Sequence, residues 1–353
     1  VRSALVIVVL AALVVWQYHL WPHHTPQPPH EPVPIEPMPM PMPPPPIDAA
    51  EPLGPVARLP IPTKTIDVPD TMTIKSFVGG IVAVDGRLVW TDNFGSIWTM
   101  PATGGAAREL ASQADAVGNP QYQALVVHRG VVYASRTGAM ATVALPNGPV
   151  ALAWADPDDD EYALVSDGTA IYGAKFDARA VVRFGGDGSQ TKLAALHSGV
   201  LATAGSGVYV ADFGASALVE VAPAHRVIAH VSHPTGIAVD DRAAYVWSQG
   251  DGTLRRIELA TGRVTWRIAL AEGDPLLADG DWIYGHAIDN GAPSLVRVAK
   301  DGSELDVVAP VDGFGRLAAD ADAIYDSGPG YILRVDKARV QPSRVTKPAT
   351  VAR

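Results

Sequence analysis

The sequence predicts an all-β protein, a β-propeller with seven blades, and three observations carry that reading. A Val/Ile/Ala-plus-aromatic pair recurs at Trp90, Tyr133, Tyr172, Tyr209, Tyr245, Tyr284 and Tyr325, at intervals of 36 to 43 residues. Hairpin dipeptides such as Asp85-Gly86, Asp167-Gly168 and Asp279-Gly280 stand a few residues before the aromatic, and such pairs accept the positive φ of tight turns. Within a unit, short runs rich in Val, Ile and aromatics alternate with turns, as in TGIAVDD (235–241), AAYVWSQ (243–249), TLRRIEL (253–259) and RVTWRIAL (263–270). Four short strands in a period near 40 is the content of one blade, the first strand lining the axis and the fourth lying on the rim.

Ahead of the repeats, Arg2 precedes the uncharged apolar run ALVIVVLAALVVW (4–16), flanked by Trp16, Tyr18 and Trp21. At about 1.5 Å per residue, a helix reaching Trp21 is roughly 27 Å long, enough to span a bilayer. No small-x-small cleavage site follows, and the aromatics sit where an interfacial belt belongs, so residues 1–21 are expected to be an uncleaved signal anchor. Arg2 and the α-amino group place the amino terminus in the cytoplasm and the rest outside it, periplasmic or extracellular.

Residues 22–62 are proline-rich, including MPMPMPPPPI (38–47). Proline lacks the amide donor and fixes φ, so the stretch reads as an extended polyproline II tether. His19, His23, His24 and His30 lie upstream of Met38, Met40 and Met42, a ligand set that suits Cu(I). An extended tract gives them no fixed geometry, and a solvated linker is the expected reading. The propeller is assigned to 63–345 and a short basic tail to 346–353.

Inside the propeller the third strand repeats as VVRF (181–184), LVRV (295–298) and ILRV (332–335), so Arg183, Arg256, Arg297 and Arg334 share a slot. The recurrence reads as blade construction rather than as a functional basic stripe. The last unit supplies three clear strands. Its fourth is expected from MTIKSF (72–77), which closes the ring from the amino-terminal side; VQPSRV (340–345) is the alternative, weakened by Pro342.

VYVADFGASALVEV (208–221) and HPTGIAVDDRAAYVW (233–247) resemble NHL repeats, and VWTDNFGSIWTMPATGG (89–105) resembles a YWTD repeat. The resemblance spans roughly 72–337 and implies an extracytoplasmic propeller. Those families usually have six blades, so six is the alternative to the seven units counted. It also implies that Asp92, and by analogy Asp212, links blades rather than binds ligand. A more distant likeness is to the SMP-30-like lactonases, which hold a cation at the axis with Glu and Asn/Asp side chains. The inner-strand openings here read Gly79-Gly80, Tyr122-Gln123, Tyr162, Gly199, Thr235-Gly236, Pro275 and Gly315, which offer almost no metal ligands.

Composition narrows the function classes. The net charge is −10 with basic residues scattered, and there is no cysteine. A phosphate backbone calls for a concentrated Lys/Arg surface, so nucleic acid is set aside. Disulfides and thiolate metal sites are excluded. HExxH, GxSxG, a Walker-type loop and GxGxxG after a strand are all missing from the sequence. The expected function is therefore a membrane-tethered recognition or scaffold module for a protein or other ligand; the alternative is an extracytoplasmic enzyme, hydrolase or lactonase-like.

The expected working face carries the two-to-three loops and the blade-joining loops. It is acidic: Asp92, Asp177, Asp212, Asp251, Asp289 and Asp326 occupy the former, and DPDDDE (156–161), Asp274 and Asp312 the latter. The candidate binding residues are Asp156, Asp158, Asp159, Asp160, Glu161, His233, Trp247 and His286, the two histidines expected in loops on the same face. His197, His233 and His286 are read as loop histidines able to do acid/base work. An acidic surface suits a protein partner with a basic surface. No cofactor is expected; calcium is the one cation the 156–161 run would suit, although it lacks the glycine and terminal Glu of an EF-hand loop.

Overall fold

The computed structural model describes residues 57–58, 63–67, 78–92, 95–111, 122–136, 139–146, 148–155, 162–175, 179–196, 198–270 and 275–339. The expected anchor 1–21, the tract 22–56, the strands expected at 72–77 and 340–345, and the tail 346–353 lie outside these residues. Among the described residues, no helix is long and apolar enough to cross a membrane.

The described strands form seven sheets, each with four antiparallel strands laid down in chain order except in the closing blade. Blades 1 to 7 cover 78–111, 122–155, 162–195, 199–230, 234–269, 277–310 and 317–336. Blade 5 shows the plan: Pro234–Val239, Ala243–Ser248, Thr253–Glu258 and Val264–Ala269. First strands touch first strands around the whole circle, and that of blade 7 meets that of blade 1. The second strand is the most enclosed, with all six residues of AAYVWS buried, while the outer strand QTKLAA of blade 3 is largely exposed. Because side chains alternate along a strand, the blade interiors become apolar layers stacked around the ring.

Among the described residues the buried side chains fall into seven clusters, one at each junction between neighbouring blades. That number settles six against seven. Each repeated aromatic belongs to or packs against one cluster; Trp90 and Tyr325 share the one that joins blade 1 to blade 7, with Ile81, Leu88, Ala318 and Ile332. In register, Arg183, Arg256, Arg297 and Arg334 stand directly opposite Tyr172, Tyr245, Tyr284 and Tyr325. The recurring arginine is thus the cross-strand neighbour of the recurring tyrosine, in keeping with blade construction.

Ring closure comes from the amino-terminal side, but by a different strand from the one expected. Thr63–Asp67 pairs antiparallel with the third strand of blade 7, from Thr63↔Val335 to Asp67↔Tyr331. The fourth strand of blade 7 is thus Thr63–Asp67 rather than 72–77. Upstream, Ala57–Arg58 adds to the outer edge of blade 6 in parallel with Asp306–Val307, making that sheet five-stranded. The sheet system therefore begins before residue 63.

Candidate functional site

Asp156, Asp158, Asp159, Asp160 and Glu161, together with His197, lie outside the described residues. His233 is exposed at the entry to blade 5, with φ 46°. Its ring packs against Phe213 with centroids 4.9 Å apart, and Nδ1 lies 3.2 Å from Ser232 Oγ.

Two expected surface residues are interior instead. Trp247 is buried in the second strand of blade 5 within the cluster shared with blade 6, and its Nε1 donates to the Leu270 carbonyl at 3.3 Å. His286 is fully buried in the second strand of blade 6, Trp282–Asp289, rather than in a loop. Its Nε2 is 3.0 Å from Asp326 Oδ1 in blade 7, and its ring faces Phe314 at 5.5 Å. The physical reason is the two-residue period of a strand: Trp247 and His286 each follow a core tyrosine by two positions and share its face. Burial pushes the Asp326 carboxyl above its ordinary value, opposed by the hydrogen bond and charge of His286.

The aspartates of the two-to-three loops mostly make turns. Asp92 accepts from the Ser96 amide and Trp98 Nε1, both at 2.9 Å, and Asp212 accepts from the Ala215 amide at 2.9 Å. Asp251 accepts from the Thr253 hydroxyl and Asp289 from the Asn290 amide group. Among the described residues, no group of three or more His, Asp or Glu is placed to hold a metal ion.

At the opposite ends of the strands a feature that the sequence reading missed recurs. Asp167, Asp240 and Asp320 each stand five residues before the blade's tyrosine, and each takes the tyrosine hydroxyl on one carboxylate oxygen, at 2.7 to 2.9 Å. The other oxygen accepts the amide of Ala170, Ala243 or Ala323. The shared spacing Asp-x-x-Ala-x-Tyr was the available signal. Each clasp locks the turn between first and second strands onto the aromatic that fills the blade junction.

In blade 5 the clasp opens onto a cleft of about 470 Å³ between blades 5 and 6, lined by Asp240, Arg242, Tyr245, Arg256, Thr265, Trp266, Lys300 and Asp301. Antiparallel connectivity puts its two turns, 240–242 and 300–304, on the same end of the ring, away from the two-to-three loops. Lys300 reaches across the junction to Asp240 at 3.3 Å. Trp266 Nε1 donates to the Lys300 carbonyl at 3.1 Å, and its ring tilts against Tyr245 with centroids 6.1 Å apart. Arg256 Nη1 donates to Thr265 Oγ1 at 2.9 Å. Gly302, at φ 77°, leaves the space that Trp266 occupies, since a Cβ there would collide with the indole.

No protein-family model and no curated protein matches the chain. Solved structures do. A catalytically inactive virginiamycin B lyase from Staphylococcus aureus with quinupristin is 13% identical at a TM-score of 0.63, over 78% of this chain and 99% of that one. YCF48 bound to D1 peptide is 10% identical at a TM-score of 0.61, over 80% and 99%. BamB from Moraxella catarrhalis is 14% identical at a TM-score of 0.51, over 75% and 84%. At such identities the likeness is one of fold. The chain is a seven-bladed β-propeller.

Two groups in the propeller's cleft, Asp240 and Tyr245, have shifted acidities. Burial acts to raise the Asp240 carboxyl, but hydrogen bonds from the Arg242 amide, the Tyr245 hydroxyl and the Ala243 amide, with the Lys300 charge, hold it below its ordinary value. Burial and the bond to Asp240 push the Tyr245 hydroxyl well above its ordinary value. Both shifts move these two groups further from neutral pH, so Asp240 stays a carboxylate and Tyr245 a neutral phenol beside the Trp266 indole.

Proposed function

We propose that this propeller is a recognition module for a protein partner, tethered outside the cytoplasm by the membrane segment 1–21 through the proline-rich 22–62. The observation that carries the recognition reading is the cleft between blades 5 and 6. It is preformed by clasps and latches, walled by Tyr245 and Trp266, and its shifted groups, Asp240 and Tyr245, are moved away from the pH range where protons are exchanged. Such a recess binds; it is poorly equipped for acid/base turnover. That a solved propeller of the same fold carries a bound peptide agrees with this role. The tether rests on the apolar run, its aromatic flank and the proline tract.

The test is crosslinking of intact cells with a membrane-impermeant reagent, followed by detergent extraction of the full chain. The expected result is a membrane-bound chain joined to a discrete protein. Recovery in the soluble cytosol would overturn the tether, and a chain labelled by the reagent but joined to nothing would overturn the recognition role.

A further inference from the structure

We propose that the cleft between blades 5 and 6 takes the side-chain carboxylate of an acidic peptide segment. The argument comes from comparing the repeats with one another. In blade 6 the slot arginine, Arg297, is matched inside the molecule: its Nε meets Asp306 Oδ2 at 2.8 Å, both side chains are buried, and the guanidinium lies 3.8 Å over the ring of Trp282. In blade 7 Arg334 pairs with Asp336. In blade 5 the fourth strand sets Trp266 opposite Arg256, with Thr265 beside it, and among the described residues Arg256 makes no ion pair. Two of the four slot arginines thus find an ion-pair partner; among the described residues Arg183 in blade 3 and Arg256 in blade 5 make no ion pair, and of these two Arg256 lines the cleft, its charge felt by Glu258 two residues further on.

A second unmatched cation lines the same space. Arg242 extends from the exposed turn of blade 5, and among the described residues its guanidinium makes no ion pair or hydrogen bond. Lys300, by contrast, is already neutralised by Asp240. Two guanidiniums without carboxylates beside an indole and a phenol suit an acid carried on an apolar stem. The forked donors meet the oxygens while the methylenes lie on the rings. Where the molecule matches a slot arginine itself, with Asp306 across the blade or Asp336 along the strand, it does so with a carboxylate, and a carboxylate is the ligand chemistry proposed. A volume of about 470 Å³ suits one or two side chains, so the ligand is an acidic segment held by its side chains. The inference rests on the recognition role and adds its ligand class.

The test uses the full chain in detergent micelles with fluorescein-labelled decaglutamate as probe, read by anisotropy and by tryptophan fluorescence. Saturable binding is expected, weakened at least ten-fold by Arg242→Ala and again by Arg256→Ala; decaglutamine should not bind. Among the described residues the Arg242 guanidinium has no partner to lose, so that variant keeps the fold if Arg256→Ala does not. Absence of saturable binding, an unchanged affinity for Arg242→Ala, or displacement by inorganic phosphate at lower concentration than by acetate overturns the proposal. If decaglutamate fails while crosslinking still yields a protein partner, the ligand class falls and the recognition role stands.

Discussion

At the scale of single residues, the second strand is where sequence and structure part company most usefully. Tyr245 and Trp247 read as a core residue and a surface residue, yet they lie on one face and in one cluster. The information was present in the two-residue spacing. What hid it was the expectation that an aromatic or histidine near a loop belongs to the loop. Asp92 and Asp212 were legible as structural residues, although the bonds described above brace turns within their own blades. The arginine slot was legible as a repeat, but its chemistry was not, since only the register reveals which arginines find an acid.

Two predictions belong at this scale. A Cβ built on Gly199 would run into the Ala211 carbonyl oxygen, and one on Gly315 into that of Ser327. Gly199→Ala should therefore cost about 1–3 kcal/mol through overpacking, visible as a lower urea midpoint with unchanged slope. The clasp aspartates Asp167, Asp240 and Asp320 are all held below the ordinary carboxylate value, burial in each case being outweighed by hydrogen bonds. Their contribution to stability is complete above an unfolded pKa of about 3.9 and is lost as pH falls through the folded values. Urea midpoints measured from pH 5 down to pH 2.5 should fall less steeply in the Asp167→Asn, Asp240→Asn, Asp320→Asn triple variant than in the parent. Equal slopes would remove the clasps from the account of acid lability.

At the scale of elements, the closing strand shows what periodicity cannot decide. Both MTIKSF and TKTID alternate in a manner compatible with a strand, and the repeat period fixes only that some segment upstream of Val78 must complete blade 7. The decision rests on the partner register with Tyr331–Asp336, a property of the assembled ring. Removal of residues 1–67 leaves the third strand of blade 7 with an open edge, and an unpaired edge recruits other chains. A chain beginning at residue 68 should elute as aggregates in size-exclusion chromatography. One beginning at residue 57, which keeps both added strands, should elute as a folded monomer or defined oligomer. Indistinguishable behaviour of the two chains would show that Thr63–Asp67 is dispensable.

At the scale of the whole molecule, every blade contributes to two of the seven junction clusters, so none has a core of its own. Open solenoids lose stability repeat by repeat because each unit meets only its neighbours; a closed ring has no terminal unit to lose first. Thermal unfolding should accordingly be one transition, coincident by far-ultraviolet circular dichroism and tryptophan fluorescence. Excision of blade 4, residues 199–230, should abolish that transition rather than shift it; a stable six-bladed remainder would contradict the interdependence of the junctions.

The ring closes with Thr63–Asp67 laid against Tyr331–Asp336, and this joins a strand made early in synthesis to the last strand of the ring. At about 5–20 residues per second, the ribosome takes tens of seconds to deliver the partner after the closing strand has appeared. Throughout that interval the blades accumulate one by one as an open arc with Thr63–Asp67 without its partner, and the cluster uniting Trp90 with Tyr325 has only one of its halves. Nascent chains arrested before residue 331 should therefore be cut by protease near residues 63–67, and chains released from the ribosome should resist it. The closing strand is made early and paired last, so the growing arc carries an open edge until blade 7 is delivered.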